Sequence, residues 1–439
     1  MFLLVTSVLA SQPAPELFQR MAELPDPYLP VRSAAPPPPE AGSRLLDVYR
    51  AGDLALLVDA DGEWLAEATS QILAGGGDFS WVLDSMSGAF YRDFGDDYQY
   101  LTVLMVSDFG LFFAFYSPIA NDVRGIGYAN FARVDVFDTQ PDNQLDGFIF
   151  MNYYGGWYEN RASGRYVFGQ EFMHRWGSFV EMDHAELASD ALLGRDAAHW
   201  SYWFDTPNSP MEGNSWRDLG TGEFEVAYQK TSTYSPLDLY LMGFVPPEEV
   251  PPMTFLSVSA EEQDRVGREP ASTPEYLTEV TSEAGRGIQV AATQVTVTVD
   301  DIIAHEGARD PAADQSPRTF KMAFLVLVLA DDVVDDTVLA EIDSVRQNFE
   351  ADWEADVLDL ADLDTTLGDG TAAEWGVDTS ATDSGTADSG VADTAEEVSV
   401  NPEVKGGCGC GSPIAPGAGL AAVVALGLMV GRRRGPFTP

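Results

Sequence analysis

Runs of apolar side chains between residues 43 and 361 predict a set of strands and three helices. Stretches rich in aromatic and β-branched residues predict strands, and the run after Lys321 is long and uncharged, as in a strand buried on both faces. The predicted strands cover residues 98–106, 110–116, 148–152, 287–292, 294–300 and 320–330. The predicted helices cover residues 63–73, 168–180 and 338–357. Both element types in one chain predict an α+β fold.

The helix predicted over residues 168–180 carries two different stripes of side chains. One stripe is aromatic, because large side chains recur at steps of three and four residues: Phe168, Phe172, Trp176 and Phe179. The other stripe contains Gln170, His174 and Gly177 at the same spacing. Glu171 lies on the same helix, and a carboxylate is costly to bury without a metal ion or a basic partner. This combination favours a functional site.

Residues 170–174, Gln-Glu-Phe-Met-His, resemble the H-E-x-x-H pattern of zincin metallopeptidases, and more narrowly a group of bacterial secreted proteins with H-E-x-G-H-R-W-x-x-[FY]-V. In that pattern two imidazoles four residues apart bind one zinc ion, and the Glu deprotonates the bound water. The resemblance implies that His174 is a Zn²⁺ ligand and Glu171 the general base. Two positions depart from the pattern, because Gln170 replaces the first His and Val180 stands where metzincins have a third ligand.

Three further blocks resemble the same secreted family, at residues 116–127, 198–214 and 234–243. Three of the four His residues, His174, His184 and His199, fall within 26 residues of this region. A catalytic zinc site needs three protein ligands and an open position for water. We therefore predict a zinc site formed by His174 and His199, with the amide oxygen of Gln170 as a poor third ligand, that acts on a peptide or protein.

Each of these residues also has a structural interpretation. His174 can be a hydrogen-bonded core histidine, and His184 a surface residue near the helix end. Met211 can be core packing rather than a residue beneath a metal, and His305 is expected in a polar loop, not as a ligand.

Three functions stay open: a zinc peptidase weakened by Gln170, a catalytically inactive zincin-like protein that binds peptide or protein partners, and a structural or adhesive surface module.

Composition and charge exclude some classes of function. The formal net charge is −46, from 24 Lys and Arg against 70 Asp and Glu, so nucleic-acid binding is not expected. No G-x-S-x-G or P-loop motif is present. Carboxylates can bind Ca²⁺, but the spacing of one acidic loop does not match the EF-hand pattern, and a solvated loop is expected there. The loop contains Asp138, Asp142, Asn143 and Asp146.

Composition also divides the chain into segments. Residues 1–10 are apolar and resemble a secretory signal peptide, although the usual basic start is missing. Residues 11–42 are predicted to be a Pro-rich spacer. The resemblance to zincins implies a zincin-like domain, with a mixed sheet and an active-site helix, over residues 43–245, and a smaller α/β domain is predicted over residues 246–361. Residues 362–404 are acidic and rich in small side chains, which predicts a disordered linker.

The C-terminal segment, residues 405–439, resembles the cysteine-containing sorting tail of myxobacterial surface proteins. Its apolar run at residues 414–430 is about one membrane span long, and basic residues after such a run stay in the cytoplasm. The resemblance implies cleavage by a myxosortase-type protease near Cys408 or Cys410, lipid attachment, and anchoring at the cell surface or outer membrane. An unprocessed membrane anchor is the alternative, and a disulfide between the two cysteines would be strained. The basic residues are Arg432, Arg433 and Arg434.

Overall fold

The computed structural model describes residues 45–74, 80–108, 114–131, 144–155, 161–207, 209–227, 233–274 and 288–376. Residue contacts divide the chain into two units, 1–375 and 376–439, and only the first is described below. Four predicted segments lie outside the described residues: the signal peptide, the spacer, the linker beyond residue 376, and the sorting tail with its span at 414–430. Within the described stretches, no helix is both long and apolar enough to cross a membrane.

The described residues contain fifteen strands and seven α-helices, which confirms the prediction of a mixed α+β fold. The strands are β1 Asp47–Ala51, β2 Leu54–Val58, β3 Tyr100–Met105, β4 Phe115–Pro118, β5 Gly147–Tyr153, β6 Trp200–Asp205, β7 Glu212–Asn214, β8 Trp216–Gly220, β9 Glu223–Val226, β10 Met253–Ser257, β11 Gln289–Ala291, β12 Thr293–Val297, β13 Thr319–Val328, β14 Asp362–Asp364 and β15 Ala373–Glu374. The helices are α1 Glu63–Ala74, α2 Ser80–Asp93, α3 Arg161–Met173, α4 Pro236–Met242, α5 Ala260–Val266, α6 Val299–Glu306 and α7 Asp336–Asp356.

The largest sheet has eight strands in the order β15-β1-β2-β13-β3-β5-β4, with β14 beside β13. Its four middle strands, β2, β13, β3 and β5, are parallel, whereas β4 runs antiparallel to β5 at one edge. Leu325 of β13 lies opposite Ala55 on one side and Val103 on the other. A parallel strand covered on both faces is apolar without alternation, and this explains the uncharged run after Lys321.

Helices cover both faces of this sheet. On one face, α1 and α2 contribute Trp64, Trp81 and Phe90 to an apolar core. On the other face, α3 and α7 pack together, and the rings of Phe168 and Phe349 stack with centroids 4.1 Å apart. The unit is therefore built as helix, sheet and helix layers. Two smaller sheets, β12-β10-β6-β7 and β11-β9-β8, extend the second of these cores.

The helix predicted over residues 168–180 ends at Met173, so the prediction is wrong for its second half. The backbone N–H groups of Trp176 and Gly177 both donate to Met173 O, at 2.8 and 3.1 Å, which forms a tight turn. The aromatic spacing nevertheless continues through the turn, because Trp176 still packs in the core, 5.7 Å from the Phe320 ring. The spacing of apolar residues indicates which side chains are buried. Here the buried side chains continue after the last residue of the helix, so the spacing did not indicate where the helix ends.

The predicted domain boundary at residue 245 does not separate two cores. β13 comes from the predicted second domain, yet it lies between β2 and β3 of the predicted first domain. Both parts belong to one compact unit, residues 1–375. Sequence patterns identified β13 as a strand but contain no information about which strands it pairs with.

The predicted linker at residues 362–404 begins too early. β14 pairs with β13 and β15 pairs with β1, so residues up to 375 belong to the fold. Leu363, Thr365 and Leu367 are 2%, 0% and 4% exposed, the alternation of a strand with one buried face. Asp362 and Asp364 alternate with them. This acidic outer face gave the segment the composition of a disordered linker.

Leu363→Ala is expected to lower the free energy of unfolding by about 2–3 kcal/mol, because it leaves a cavity behind a buried leucine. Leu358→Ala is the matched control. Leu358 is 61% exposed, and a surface change of this kind costs less than about 0.5 kcal/mol. Urea unfolding of both variants measures the difference, and equal stabilities would mean that residue 363 lies in a linker after all.

Candidate functional site

A buried carboxylate, Asp238 at the start of α4, ties together the segments that follow α3. Asp238 accepts hydrogen bonds from Trp200 Nε1 at 2.8 Å, Ser209 Oγ at 2.7 Å and Ser235 N at 2.7 Å. Burial raises its pKa, and the three donors offset part of that rise. The contacts hold β6 and the loop after it against α4, and so fix the position of the residue before Trp200, His199.

His174 and His199 meet at the end of α3. His174 is the first residue after the helix, and its backbone N–H still bonds to Gln170 O at 3.2 Å. Ser178 N donates to Ala198 O at 3.3 Å, which holds the two segments together. The two imidazole centroids lie 5.0 Å apart, with perpendicular rings. The structure therefore brings together the predicted ligands His174, His199 and Gln170.

Both imidazoles are neutral, and both carry their proton on Nδ1. His174 Nδ1 lies 3.2 Å from Gly177 O, and His199 Nδ1 lies 3.0 Å from Arg195 O. A carbonyl oxygen only accepts, so Nδ1–H donates in each case and Nε2 has the lone pair. Burial lowers the pKa of His174 to about 3. Burial, followed by the positive charge of Arg195, lowers the pKa of His199 well below its usual value.

The lone pair of His199 Nε2 already has two donors. Gln170 Nε2 lies 2.7 Å from it, and Arg195 Nη2 lies 3.1 Å from it. A guanidinium can only donate, which agrees with the tautomer assigned from the carbonyl contact. Two protein donors therefore meet at the atom that would bind a metal ion.

Arg195 also forms an ion pair with Glu212, through Nη2 and Oε1. Glu212 is 1% exposed, and its backbone lies in the left-handed region at φ 78°, which a non-glycine side chain adopts only when its surroundings hold it there. Its N–H donates to Ser209 O at 3.0 Å, and its carbonyl accepts from Thr206 Oγ1 at 2.6 Å. Burial raises the pKa of Glu212, and Arg195 opposes that rise.

Glu171 is the second buried acid of the site. It is 4% exposed, and its Oε2 atom has no hydrogen-bond partner among the described residues. The carboxyl group accepts a hydrogen bond from the backbone amide of Tyr116 in β4, which links α3 to the edge strand. Burial raises the pKa of Glu171 to about 8, although the charge of Arg195 and the Tyr116 bond both lower it. Glu171 is therefore mostly protonated at neutral pH.

The residues of this site, as placed, do not fit zinc. A catalytic zinc ion needs three protein ligands, and the site offers two imidazoles and the amide of Gln170. Within the described stretches, no group of three His, Cys, Asp or Glu side chains is arranged to hold a metal ion. The guanidinium of Arg195, 3.1 Å from His199 Nε2, would repel a divalent cation bound to that atom.

The remaining histidines and Met211 lie apart from this arrangement. His184 Nε2 lies 3.2 Å from Thr296 O. His305 lies in α6 rather than in the predicted loop, and its Nδ1 lies 2.8 Å from Asp183 Oδ1, a contact that raises its pKa. Met211 is fully buried, and its carbonyl accepts from the Trp200 backbone at 2.8 Å, which is a core role.

Most of the acidic loop and all of the sorting residues lie outside the described residues. Asp138, Asp142 and Asn143 of the acidic loop, for which a solvated loop rather than a Ca²⁺ site is expected, lie outside the described residues. Asp146 is described, and its carboxylate lies 3.7 Å from Arg175 Nη2, an arginine side chain only 5% exposed. Asp146 thus contributes to an ion pair beside α3. Cys408, Cys410 and the three terminal arginines, Arg432, Arg433 and Arg434, also lie outside the described residues.

Sequence reasoning missed Arg195 and Glu212, which complete the site. Neither belongs to a spacing pattern: Arg195 lies in a short turn before β6, and Glu212 begins β7, a strand of only three residues. The one available signal was a Glu followed by Gly213 within the block Ser-Pro-Met-Glu-Gly-Asn. No protein-family model, curated protein or solved structure matches the chain. Function is therefore inferred from the site itself.

Proposed function

We propose that this protein is a catalytically inactive, zincin-like surface protein that binds a protein or peptide partner. The observation that carries the proposal is the double contact at His199 Nε2, where Gln170 donates at 2.7 Å and Arg195 donates at 3.1 Å. Arginine is not deprotonated in proteins, so a permanent positive charge stands beside the imidazole. It compensates Glu212 in the way that a bound cation would.

The state of Glu171 supports the same proposal. A general base must be deprotonated at the working pH, whereas burial raises the pKa of Glu171 to about 8. Its carboxyl group is also bound to the Tyr116 amide of β4. All four residues of β4, Phe115–Pro118, are buried. An edge strand in this condition offers little open backbone to an extended substrate.

The surface location in this proposal rests on the two ends of the sequence. Residues 1–10 resemble a signal peptide, and residues 405–439 resemble a sorting tail with Cys408 and Cys410 as its processing region. We propose export, processing by a myxosortase-type protease, and anchoring in the membrane or through a lipid. The partner would then be a protein or peptide at the cell surface.

A weak zinc peptidase is the second candidate, and one observation favours it. Both imidazoles donate Nδ1–H to a backbone carbonyl, at 3.2 and 3.0 Å, which is how metal-binding histidines are commonly oriented. The oxygen and nitrogen of the Gln170 amide are distinguished by their hydrogen bonds. With the amide rotated by 180°, its oxygen would lie beside His199 Nε2 and could serve as the third zinc ligand. Metal content distinguishes the two candidates.

The purified full chain is expected to contain far less than one zinc ion per molecule by elemental mass spectrometry. Gln170→His restores the third imidazole, but Arg195 still opposes the ion, so we expect little gain. The triple variant Gln170→His/Arg195→Met/Glu212→Gln removes the ion pair as a unit and is expected to bind zinc close to one per chain, because three imidazoles then face one position.

The control is the same triple variant with His199→Ala, which should lose the zinc. Near-stoichiometric zinc in the wild type, lost on His199→Ala, would overturn the proposal in favour of the peptidase. Absence of zinc from the triple variant, with an unchanged circular dichroism spectrum, would mean that the two imidazoles do not converge as the structure places them.

A further inference from the structure

A cavity of about 410 Å³ lies between α3 and α7, beside the end of β5. α3 contributes Arg165 and Phe168 to its lining. Gln170 is two residues further along, roughly 200° around the helix, so the cavity and the histidine site lie on different sides of α3. Its volume is within the range of small-molecule sites, and it lies at the carboxyl end of a parallel strand, where ligands commonly bind.

The inner wall of the cavity is aromatic. Phe168 and Phe349 are both buried, and their rings stack with centroids 4.1 Å apart. Tyr153 and Tyr154 form a second aromatic pair, edge to face, with centroids 5.1 Å apart. Aromatic surfaces of this kind accept a flat or aliphatic group, and the ring faces also attract cations.

The charged groups around the cavity do not balance. Arg165 donates two hydrogen bonds to the Asp356 carboxylate, from Nε at 2.9 Å and from Nη2. Its Nη1 atom also lies 3.6 Å from Asp352 Oδ1, as an ion pair. Glu341 is exposed at the rim and accepts a hydrogen bond from Tyr154 OH at 3.0 Å. Among the residues that the structure describes here, three carboxylates thus stand against one guanidinium, a formal charge of −2. Arg165 offsets one of the two negative charges of Asp352 and Asp356, so one surplus charge remains there and the other is on Glu341 at the rim.

We propose that this cavity binds a small organic cation, with its charged nitrogen at Glu341 and its apolar body against Phe168 and Phe349. Glu341 is held in place by Tyr154, and its carboxylate has capacity for further donors. A neutral ligand would leave the surplus charge unbalanced, and an anion would be repelled. The site is independent of the histidine site and of its metal content.

The test uses three planar probes of nearly the same shape on the full chain: benzamidinium, benzamide and benzoate. Ligand-observed NMR at low salt is expected to show binding in the order benzamidinium, benzamide, benzoate. Glu341→Gln keeps the shape of the rim and is expected to weaken benzamidinium about ten-fold, the effect of losing a charged hydrogen-bond partner. Benzamide binding should stay nearly the same.

Two further variants separate this cavity from the general acidity of the chain. Glu261→Gln removes the same charge from an exposed position on α5 and should leave benzamidinium affinity unchanged. Ser344→Trp, on the exposed rim formed by α7, should block all three probes. The proposal is overturned if Glu261→Gln and Glu341→Gln weaken benzamidinium equally, if benzoate binds as well as benzamidinium, or if Ser344→Trp leaves binding intact in a folded protein.

Discussion

Replacing Glu171 with glutamine is expected to stabilise the protein by about 4 kcal/mol at pH 8, and to change its stability little at pH 4.5. The pKa of Glu171 rises from its usual 4.5 to about 8 in the folded chain because the carboxyl group is buried. Between these two pH values the unfolded chain loses the proton and the folded chain keeps it. Stability of the wild type therefore falls with rising pH across this window, by about 1.4 kcal/mol per pH unit.

Urea unfolding of the wild type and Glu171→Gln at several pH values between 4.5 and 8 measures the effect. The glutamine has no proton to lose, so this part of the pH dependence should disappear, while its oxygen can still accept from the Tyr116 amide. Glu186→Gln is the control, because Glu186 is exposed. Parallel pH profiles for wild type and Glu171→Gln would show that a cation already compensates Glu171, and would favour the zinc peptidase.

Some of the regular elements were predictable because their patterns are local, whereas others, such as α2 and β6, were not predicted. The run after Lys321 predicted β13, and spacing predicted α7 within two residues at its start, Asp336 in the structure. Pairing is not local. β13 pairs with β2 and β3 from far earlier in the chain, and no pattern within β13 specifies those partners. The predicted second domain was wrong for this reason.

The site was predictable where a motif or a rare residue marked it. His174 and Gln170 came from the motif, and His199 from the clustering of the few histidines. Arg195 and Glu212 carry no such mark. Arginine and glutamate are common surface residues, and these two acquire their role only when the turn around residue 212 buries the carboxylate beside His199. The burial of Glu212 could not be predicted from the sequence. The prediction therefore included a zinc ion, but not the Arg195 guanidinium that disfavours zinc binding at His199.

Arg195→Met is expected to destabilise the protein by about 3–5 kcal/mol, because it leaves the Glu212 carboxylate buried without its partner. Glu212 is 1% exposed, whereas the Arg195 side chain is 35% exposed. Glu212→Gln should cost less, about 1–2 kcal/mol, since the guanidinium can then turn toward water. The double variant should be more stable than Arg195→Met alone. Urea unfolding of the four proteins gives the coupling energy between the two side chains.

The size of that coupling energy shows what the ion pair does at the site. A coupling energy above about 2 kcal/mol means that the two side chains stabilise one another as a buried unit. Zinc binding at His199 would then cost the free energy of displacing Arg195 from this ion pair. A coupling near zero means that Glu212 is compensated by something other than Arg195. Adding zinc to Arg195→Met extends the test. A zinc ion bound by His174 and His199 would restore the stability of this variant only if the carboxylate of Glu212 or Glu171 lies close enough to be compensated by the ion. Restoration by zinc in this variant, but not in Arg195→Met/His199→Ala, would show that the guanidinium and the metal ion compete for one position.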